Sequence, residues 1–291
     1  MKAALFGFGY WGQKVYSTLK SLGVEVEIIE KKHLSTKKTT LKKTVLNDPK
    51  VNYCFIVTPE ETHFALAKEC LLANKHVFVE KPLALTVEQA KELKALAESK
   101  NLYLAVDQVF LYDKSLLKVR QLIVQHKLSK LKSVFSKRWS SLSQPKNISI
   151  IHDLLPHDLY ILEFLNLLDC STLNKNDINN SIEKQEFLVN RSVFSFSIEK
   201  TKFIFDYDWY AKQVEREMIF DFIEGKITWI KKNGFDEVTF YQQNQKLIEE
   251  KLNFSKPSPL ELLISDFFAK KTKLPLAKTI NQLKLINYLL N

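Results

Sequence analysis

Lys2-Ala3-Ala4-Leu5-Phe6-Gly7-Phe8-Gly9-Tyr10-Trp11-Gly12 decides the fold. A short apolar strand, Lys2 to Phe6, runs into a Gly-x-Gly-x-x-Gly turn, and Gly12 to Leu22 reads as the helix that the turn opens. The chain has 291 residues and six glycines, and three of the six sit in this turn. In so glycine-poor a sequence the cluster needs a physical reason. A tight turn, close approach of backbone to a pyrophosphate, and packing of helix on sheet supply one, with phosphates at the positive helix end. Tyr10 and Trp11, inside the turn, are candidate contacts with Gly7, Gly9 and Gly12.

Working outward, Val24 to Ile29 is a β-branched strand, and Glu30 follows it, eighteen residues beyond Gly12. An acid there can accept hydrogen bonds from an adenosine ribose, which favours NAD. Lys31 and Lys32 come next and could receive a 2′-phosphate, so NADP stays open. Strand and helix signals then alternate: Tyr53 to Val57, Glu61 to Ala73, His76 to Val79, Val87 to Lys100 and Leu102 to Val106. That succession predicts a doubly wound parallel sheet of the Rossmann α/β class. After a helix from Ser115 to His126 the pattern changes to strands at Val134 to Trp139, Glu186 to Val189, Ser192 to Ile198, Lys202 to Trp209, Arg216 to Ile223, Lys226 to Ile230 and Glu237 to Tyr241. Alternation such as Phe203-Ile204-Phe205-Asp206-Tyr207 suits a sheet with one covered face. Helices are expected at Leu154 to Leu168, Pro259 to Lys270 and Thr279 to Leu290, and a surface loop at Asn174 to Asn180. The expected organisation is a dinucleotide-binding domain over residues 1–116 and an α+β domain with a large open, mixed, mainly antiparallel sheet over residues 117–291. The final helix is allowed to return to the first domain.

With 45% hydrophobic and 26% charged residues, the composition is that of a globular chain. The apolar run Leu159 to Leu168 is interrupted well short of the roughly 20 residues a membrane span needs. The amino terminus lacks the pattern of a signal peptide, so a soluble, cytoplasmic protein with no membrane partner is expected. Cys54, Cys70 and Cys170 are odd in number and far apart, which supports neither a disulfide framework nor a zinc site, and no metal is expected. The net charge of +10 comes nearly all from Lys, with Arg only at Arg120, Arg138, Arg191 and Arg216. Readers of DNA sequence lean on the Arg fork, so a solvated Lys-rich surface is expected, with attraction of phosphorylated ligands as the alternative and no nucleic-acid partner.

Three further clusters can carry chemistry. Thr58-Pro59-Glu60-Glu61-Thr62-His63 lies at the carboxyl end of a parallel strand, where such sheets place ligands. It also reads as an ordinary helix start, with Thr58 as cap, Pro59 at the first helical position and Glu61 three after the cap. Glu80-Lys81-Pro82 ends the next strand, and Pro82 biases Lys81 away from helix so that its head is aimed at the same edge. In His152-Asp153-Leu154-Leu155-Pro156-His157-Asp158, an Asp153 cap puts Asp153 and His157 on one helical face. A His can move a proton near neutrality, a carboxylate can orient it, and a Lys can stabilise developing negative charge.

In their order and spacing these motifs, with Phe110-Leu111-Tyr112 leading into a helix, resemble the Gfo/Idh/MocA oxidoreductase family. The resemblance covers nearly the whole chain. It implies that Lys81, Asp153 and His157 are catalytic, and that Gly7, Gly9, Gly12, Glu30, Thr58, His63 and Glu80 contact the dinucleotide, with Tyr10, Trp11, Lys31, Pro59 and Lys81 beside them. Ile150 to Leu162, Arg138 and Trp209 to Arg216 look most like the branch acting on nucleotide-linked sugars. The implied reaction is hydride transfer between NAD(P) and a secondary alcohol or ketone of a sugar. A non-catalytic sensor on the same scaffold is the alternative, although it has no need to keep Lys81, Asp153 and His157 together. A homodimer or homotetramer through the second sheet is implied too, since an uncovered sheet rich in Phe, Tyr and Trp would invite association. The chain departs from the family in Gln144-Pro145-Lys146-Asn147, where more glycine is common, and in Asp107-Gln108, where many members have Gly followed by Asn or His.

Overall fold

In the computed structural model the first strand, β1 (Lys2–Phe6), lies between β2 (Glu25–Ile29) and β3 (Val51–Ile56), and β4 (His76–Val79) and β5 (Leu104–Val106) extend the sheet beyond β3. The structure describes residues 1–30, 37–141, 149–174, 183–187, 190–232, 234–253 and 256–290, without the side chains of 37–41 and 184–187. Lys31, Lys32, the 144–147 segment and residues 175–180 of the expected loop lie outside the described residues. Every pairing in this sheet is parallel. Its strands read as near-continuous apolar runs because both faces are covered. On one face Phe6, Cys54, Ile56, Val77 and Val79 pack with Ala67 and Leu71 of α3 (His63–Leu72) and Leu93 of α4 (Val87–Ser99). On the other, Phe55 and Phe78 meet Phe267 edge-on, with ring centroids 5.4 and 5.5 Å apart.

α1 (Tyr10–Ser21) links β1 to β2, and α2 (Lys37–Asn47) precedes β3. The sequence reading did not anticipate α2, because its Lys- and Thr-rich composition carries almost no apolar periodicity. Phe267 belongs to α7 (Pro259–Phe268), which opens with a full capping box between Ser258 and Glu261. The chain divides into two units, Met1–Val109 with Pro257–Lys284, and Phe110–Lys256 with Leu285–Asn291. α8 (Leu276–Leu290) supplies Ile280 and Leu283 to the core of the first.

The second unit holds α5 (Lys114–Gln125), α6 (Ile150–Phe164) and an eight-stranded sheet. Its strands are β6 (Leu131–Ser141), β7 (Glu183–Phe187), β8 (Arg191–Ile198), β9 (Thr201–Asp208), β10 (Tyr210–Phe222), β11 (Lys226–Lys231), β12 (Phe235–Gln242) and β13 (Gln245–Asn253), in the order β13-β12-β11-β10-β6-β9-β8-β7. Among the described residues only β6 and β9 pair in parallel; the other pairings are antiparallel, as a mixed, mainly antiparallel sheet requires. Of the strand expected at Glu186 to Val189, Glu186 and Phe187 lie in β7, and residues 188 and 189 lie outside the described residues. β13 was not anticipated: its alternating Lys, Glu and Gln mark a charged edge strand, which resists pairing with other chains but hides the apolar signal.

One expectation is corrected here. The aromatic side chains do not form an open surface: Phe194, Phe196, Phe203, Phe205, Tyr207 and Phe220 are buried on one face. α6 covers that face, since its Asp158 accepts a hydrogen bond from Tyr207. The stacked pairs Phe194–Phe205 and Phe196–Phe203, with centroids 5.0 and 5.3 Å apart, run across β8 and β9 within this core. The opposite face carries charged residues such as Lys137, Asp206 and Glu217 between half-buried Phe135, Ile204 and Ile219. Among the described residues, no helix is long and apolar enough to cross a membrane.

Candidate active site

The three turn glycines are required for different reasons. Gly7 has φ +92°, and a Cβ there would sit 2.4 Å from the Val57 carbonyl oxygen. A Cβ on Gly12 would sit 2.4 Å from the Gly7 carbonyl oxygen, so these two glycines let the helix close onto the sheet. Gly9 is different: its φ of −69° suits any residue, and a Cβ there would meet nothing within 4 Å. What Gly9 keeps open is the space in front of the turn. As N-cap of α1 it offers no side-chain oxygen, and the first turn of α1 contains no acid, so the positive helix end faces an unfilled approach.

That approach is a cleft of about 760 Å³, walled by the glycine turn with Tyr10 and Trp11, by Glu30 at the end of β2, and by Thr58 and Pro59 after β3. Its size suits a large ligand. A cradle that a Cβ at Gly9 would enter, at a helix start without acid, fits the pyrophosphate of a dinucleotide. Lys42 of α2 also lines the cleft and is held 2.6 Å from Glu69 of α3. The sequence reading passed over Lys42 because it lies in the unanticipated helix.

Thr58 does not cap a helix. Pro59 precedes a single 3-10 turn at Glu60–Thr62, and Thr58 Oγ1 lies 2.6 Å from Thr62 Oγ1. His63, expected at the dinucleotide, lies behind the wall: it is 1% exposed and does not line the cleft. Its Nδ1 is 2.7 Å from the Pro82 carbonyl oxygen and its Nε2 is 2.8 Å from that of Thr58. Burial holds its imidazole below the ordinary histidine pKa. His63 thus stitches the segment after β3 to the segment after β4. The latter carries Glu80, whose carboxylate accepts from the Lys81 N–H, and a cis Lys81-Pro82 peptide. Glu80 and Lys81 are half-buried at the carboxyl edge of the sheet and do not line the cleft.

Asp107, one of the departures noted in the sequence, is 2% exposed and accepts from Trp11 Nε1 at 2.7 Å. Burial pushes its carboxyl up to about 6, against the opposing pull of Trp11 and Lys81.

In the second unit, α6 begins at Ile150, and its cap is Ser149, whose hydroxyl accepts from the His152 N–H. Asp153 is therefore a first-turn residue rather than the cap, and Pro156 lies inside the helix. The four-residue spacing still places Asp153, which is buried, on one face with His157. His157 Nδ1 is 2.9 Å from the Tyr160 hydroxyl, and its ring meets Phe110 edge-on at 5.1 Å.

The next residue, Asp158, has no exposed surface, yet it lacks nothing. It accepts from Ser136 Oγ at 2.7 Å, from Tyr207 Oη at 2.6 Å, and from Arg138 through Nε at 2.7 Å and Nη2 at 2.5 Å. Burial, with that carboxylate beside it, pushes the Tyr207 phenol well above its ordinary pKa and keeps it a donor. A buried pair with this geometry is costly to break: removing one partner costs about 3–5 kcal/mol. Asp158 is thus the anchor that fixes α6, the helix bearing His157, to Arg138 and Ser136 of β6 and to Tyr207 of β9, and the Arg138 guanidinium lies 5.1 Å from the centre of the Phe110 ring. Lys81 belongs to the first unit, and Asp153 and His157 to the second.

Residues 1–108 match the Gfo/Idh/MocA model of an oxidoreductase family with an NAD-binding Rossmann fold. The first domain is similar to the NAD-binding domain of that family. The matched residues include every wall of the cleft at the glycine turn, and the fold that the model describes is NAD-binding. An uncharacterised oxidoreductase of Escherichia coli, YdgJ, is 32% identical over 181 residues, which are 54% of this chain and 51% of that protein. The chain therefore spans about half the length of this curated relative. Among solved structures, a UDP-N-acetylglucosamine 3-dehydrogenase from Acidithiobacillus ferrooxidans superposes with a TM-score of 0.77 at 16% identity, over 99% of this chain and 95% of that one. A 3-ketoreductase from Actinomadura kijaniata, in complex with NADP and TDP-benzene, superposes with a TM-score of 0.78 at 13% identity, over 99% and 96%. At these identities the likeness is one of fold, a Rossmann sheet followed by the second large sheet.

Proposed function

We propose that the chain is an NAD(P)-dependent oxidoreductase acting between a secondary alcohol and a ketone of a sugar, and that the sugar is nucleotide-linked. The observation that carries the reading is the open cleft at Gly9 in an NAD-binding family domain, in a chain that also has Lys81, Asp153 and His157. The nucleotide-linked substrate is supported by the resemblance of Ile150 to Leu162, and by two structural neighbours whose names include a UDP-sugar and a TDP ligand. Gly7, Gly9, Tyr10, Trp11, Gly12, Glu30, Thr58 and Pro59 would hold the dinucleotide, with Glu80 and His63 shaping the edge behind them.

When bound, the nicotinamide supplies hydride acceptance or donation. The chain supplies proton transfer and charge. His157 takes the hydroxyl proton during oxidation, and in the tautomer with Nδ1–H donating to Tyr160 the accepting nitrogen is Nε2. Asp153, on the same helical face, orients that imidazole or a substrate hydroxyl, and the Lys81 ammonium stabilises the developing alkoxide. The decisive experiment is a screen of nucleotide sugars followed by nicotinamide absorbance. A protein that binds dinucleotide and turns over no sugar would favour the sensor.

Cofactor choice should follow Glu30. Its carboxylate accepts ribose hydroxyls and repels a 2′-phosphate, so calorimetry is expected to show NAD binding more tightly than NADP. Glu30→Ala should narrow the gap by about tenfold, the equivalent of one charge-assisted hydrogen bond. NADP favoured by the wild type would mean that lysines near the ribose, Lys42 among them, outweigh the acid.

The chain is also expected to form a homodimer or homotetramer through the sheet face opposite α5 and α6, where Phe135, Ile204, Ile219 and Phe235 are half-buried between charges. Light scattering at micromolar concentration tests this, and a monomer would overturn it.

A further inference from the structure

Asp107 follows β5 at the carboxyl edge of the parallel sheet, and its backbone N–H donates to the Val79 carbonyl at 2.8 Å, on the strand that leads to Glu80 and Lys81. Its side chain reaches Trp11, whose indole N–H donates to Oδ2. Trp11 in turn walls the dinucleotide cleft. The other oxygen, Oδ1, is buried and has no hydrogen-bond partner among the described residues. A carboxyl group in that condition is expensive to keep. The need for some indole acceptor does not by itself require an acid, because the carbonyl of an Asn would also accept, though more weakly. Nor does the family resemblance account for it, since Asp107 stands where many members have Gly.

We propose that Asp107 is a positioning residue of the dinucleotide site that acts through Trp11: ionised, it fixes the indole that walls the cleft, and protonated, it releases that wall and weakens dinucleotide binding. The inference rests on the cofactor reading above. A hydrogen bond to an ionised acceptor is roughly twice as strong as a neutral one, which sets the direction. Burial brings the carboxyl to about 6, so the change falls within the range in which the protein can be handled. Lys81, from the segment after β4, is the charged group acting on Asp107, the Trp11 indole is the neutral donor, and the nearby Val109 N–H favours the charged form without forming a hydrogen bond to Oδ1. Protonation also removes the pull of the carboxylate on Lys81, and Trp11→Phe, which keeps the acid, separates that route from the indole bond. His63, whose imidazole burial holds below its ordinary pKa, is hydrogen-bonded to Pro82 beside Lys81, so a variant at Asp107 itself is needed to assign the effect.

The test is NAD affinity of the full chain by calorimetry between pH 8 and pH 5, with tryptophan emission followed over the same range without dinucleotide. The wild type is expected to lose about fivefold in affinity as the pH falls, with a midpoint near 6 and a matching inflection in emission. Asp107→Asn keeps an acceptor but cannot ionise. It should bind about fivefold more weakly than the wild type at pH 8, as the protonated wild type does at pH 5, and lose both the pH dependence and the inflection. Asp107→Leu should bind about tenfold more weakly throughout. If circular dichroism shows that the Leu variant does not fold, Trp11→Phe, which removes the donor and keeps the acid, replaces it and should show weak binding without the pH dependence. Wild-type pH dependence in Asp107→Asn would overturn the inference, as would wild-type affinity in both Asp107→Leu and Trp11→Phe. Tight, pH-independent binding by the wild type would sink this inference alone, whereas no NAD binding at any pH would sink the cofactor reading and this role with it.

Discussion

Replacing His157 by Ala, or Lys81 by Ala, is expected to lower sugar turnover by about two to four orders of magnitude, the range that positioned acid–base groups contribute. The two losses should differ in kind. His157 belongs to the second unit and is assigned to the substrate proton, so dinucleotide affinity should hardly change in His157→Ala. Lys81 lies in the first unit, at the sheet edge that His63 ties to Thr58 through Pro82, so its removal should disturb turnover and affinity together. Oxidative turnover should also rise with pH across the range in which an imidazole titrates, because only the neutral ring accepts a proton. A substrate found by screening, followed through nicotinamide absorbance under single-turnover conditions, keeps slow product release from masking the chemical step. Near wild-type rates in both variants would remove the catalytic assignment.

The second large effect is expected at the glycine turn. In Gly9→Val the new side chain projects into the cleft from a backbone with φ −69°, where a Cβ meets nothing within 4 Å, so the protein should fold and lose dinucleotide affinity by about 100-fold or more. Gly12→Ala should behave in the opposite way. Its Cβ would press on the Gly7 carbonyl from 2.4 Å, so stability should fall by about 1–3 kcal/mol or more. Thermal unfolding and calorimetry separate the two outcomes. A folded Gly9→Val that binds NAD and NADP as tightly as the wild type would falsify the site.

The parallel sheet, the glycine turn and the shared face of Asp153 and His157 were legible in the chain because each is a local pattern. Apolar runs between helical stretches, three glycines in six residues, and a four-residue spacing are all set within one or two turns of backbone. α2 and β13 escaped because their Lys-, Thr- and Glu-rich compositions leave no clear apolar stripe to read. Ser149 rather than Asp153 caps α6, a choice that the order of residues leaves open, since both can cap and only the first turn that forms decides between them. His63 carries no mark in the sequence of its burial behind the cleft, and its two partner carbonyls lie on segments that end different strands. Trp11 and Asp107 are 96 positions apart, and the donors to Asp158 come from 20 to 49 positions away. Such contacts depend on which strand ends become neighbours, a matter settled when the sheet is packed. A buried carboxylate then finds its partners in space, where spacing along the chain gives no warning.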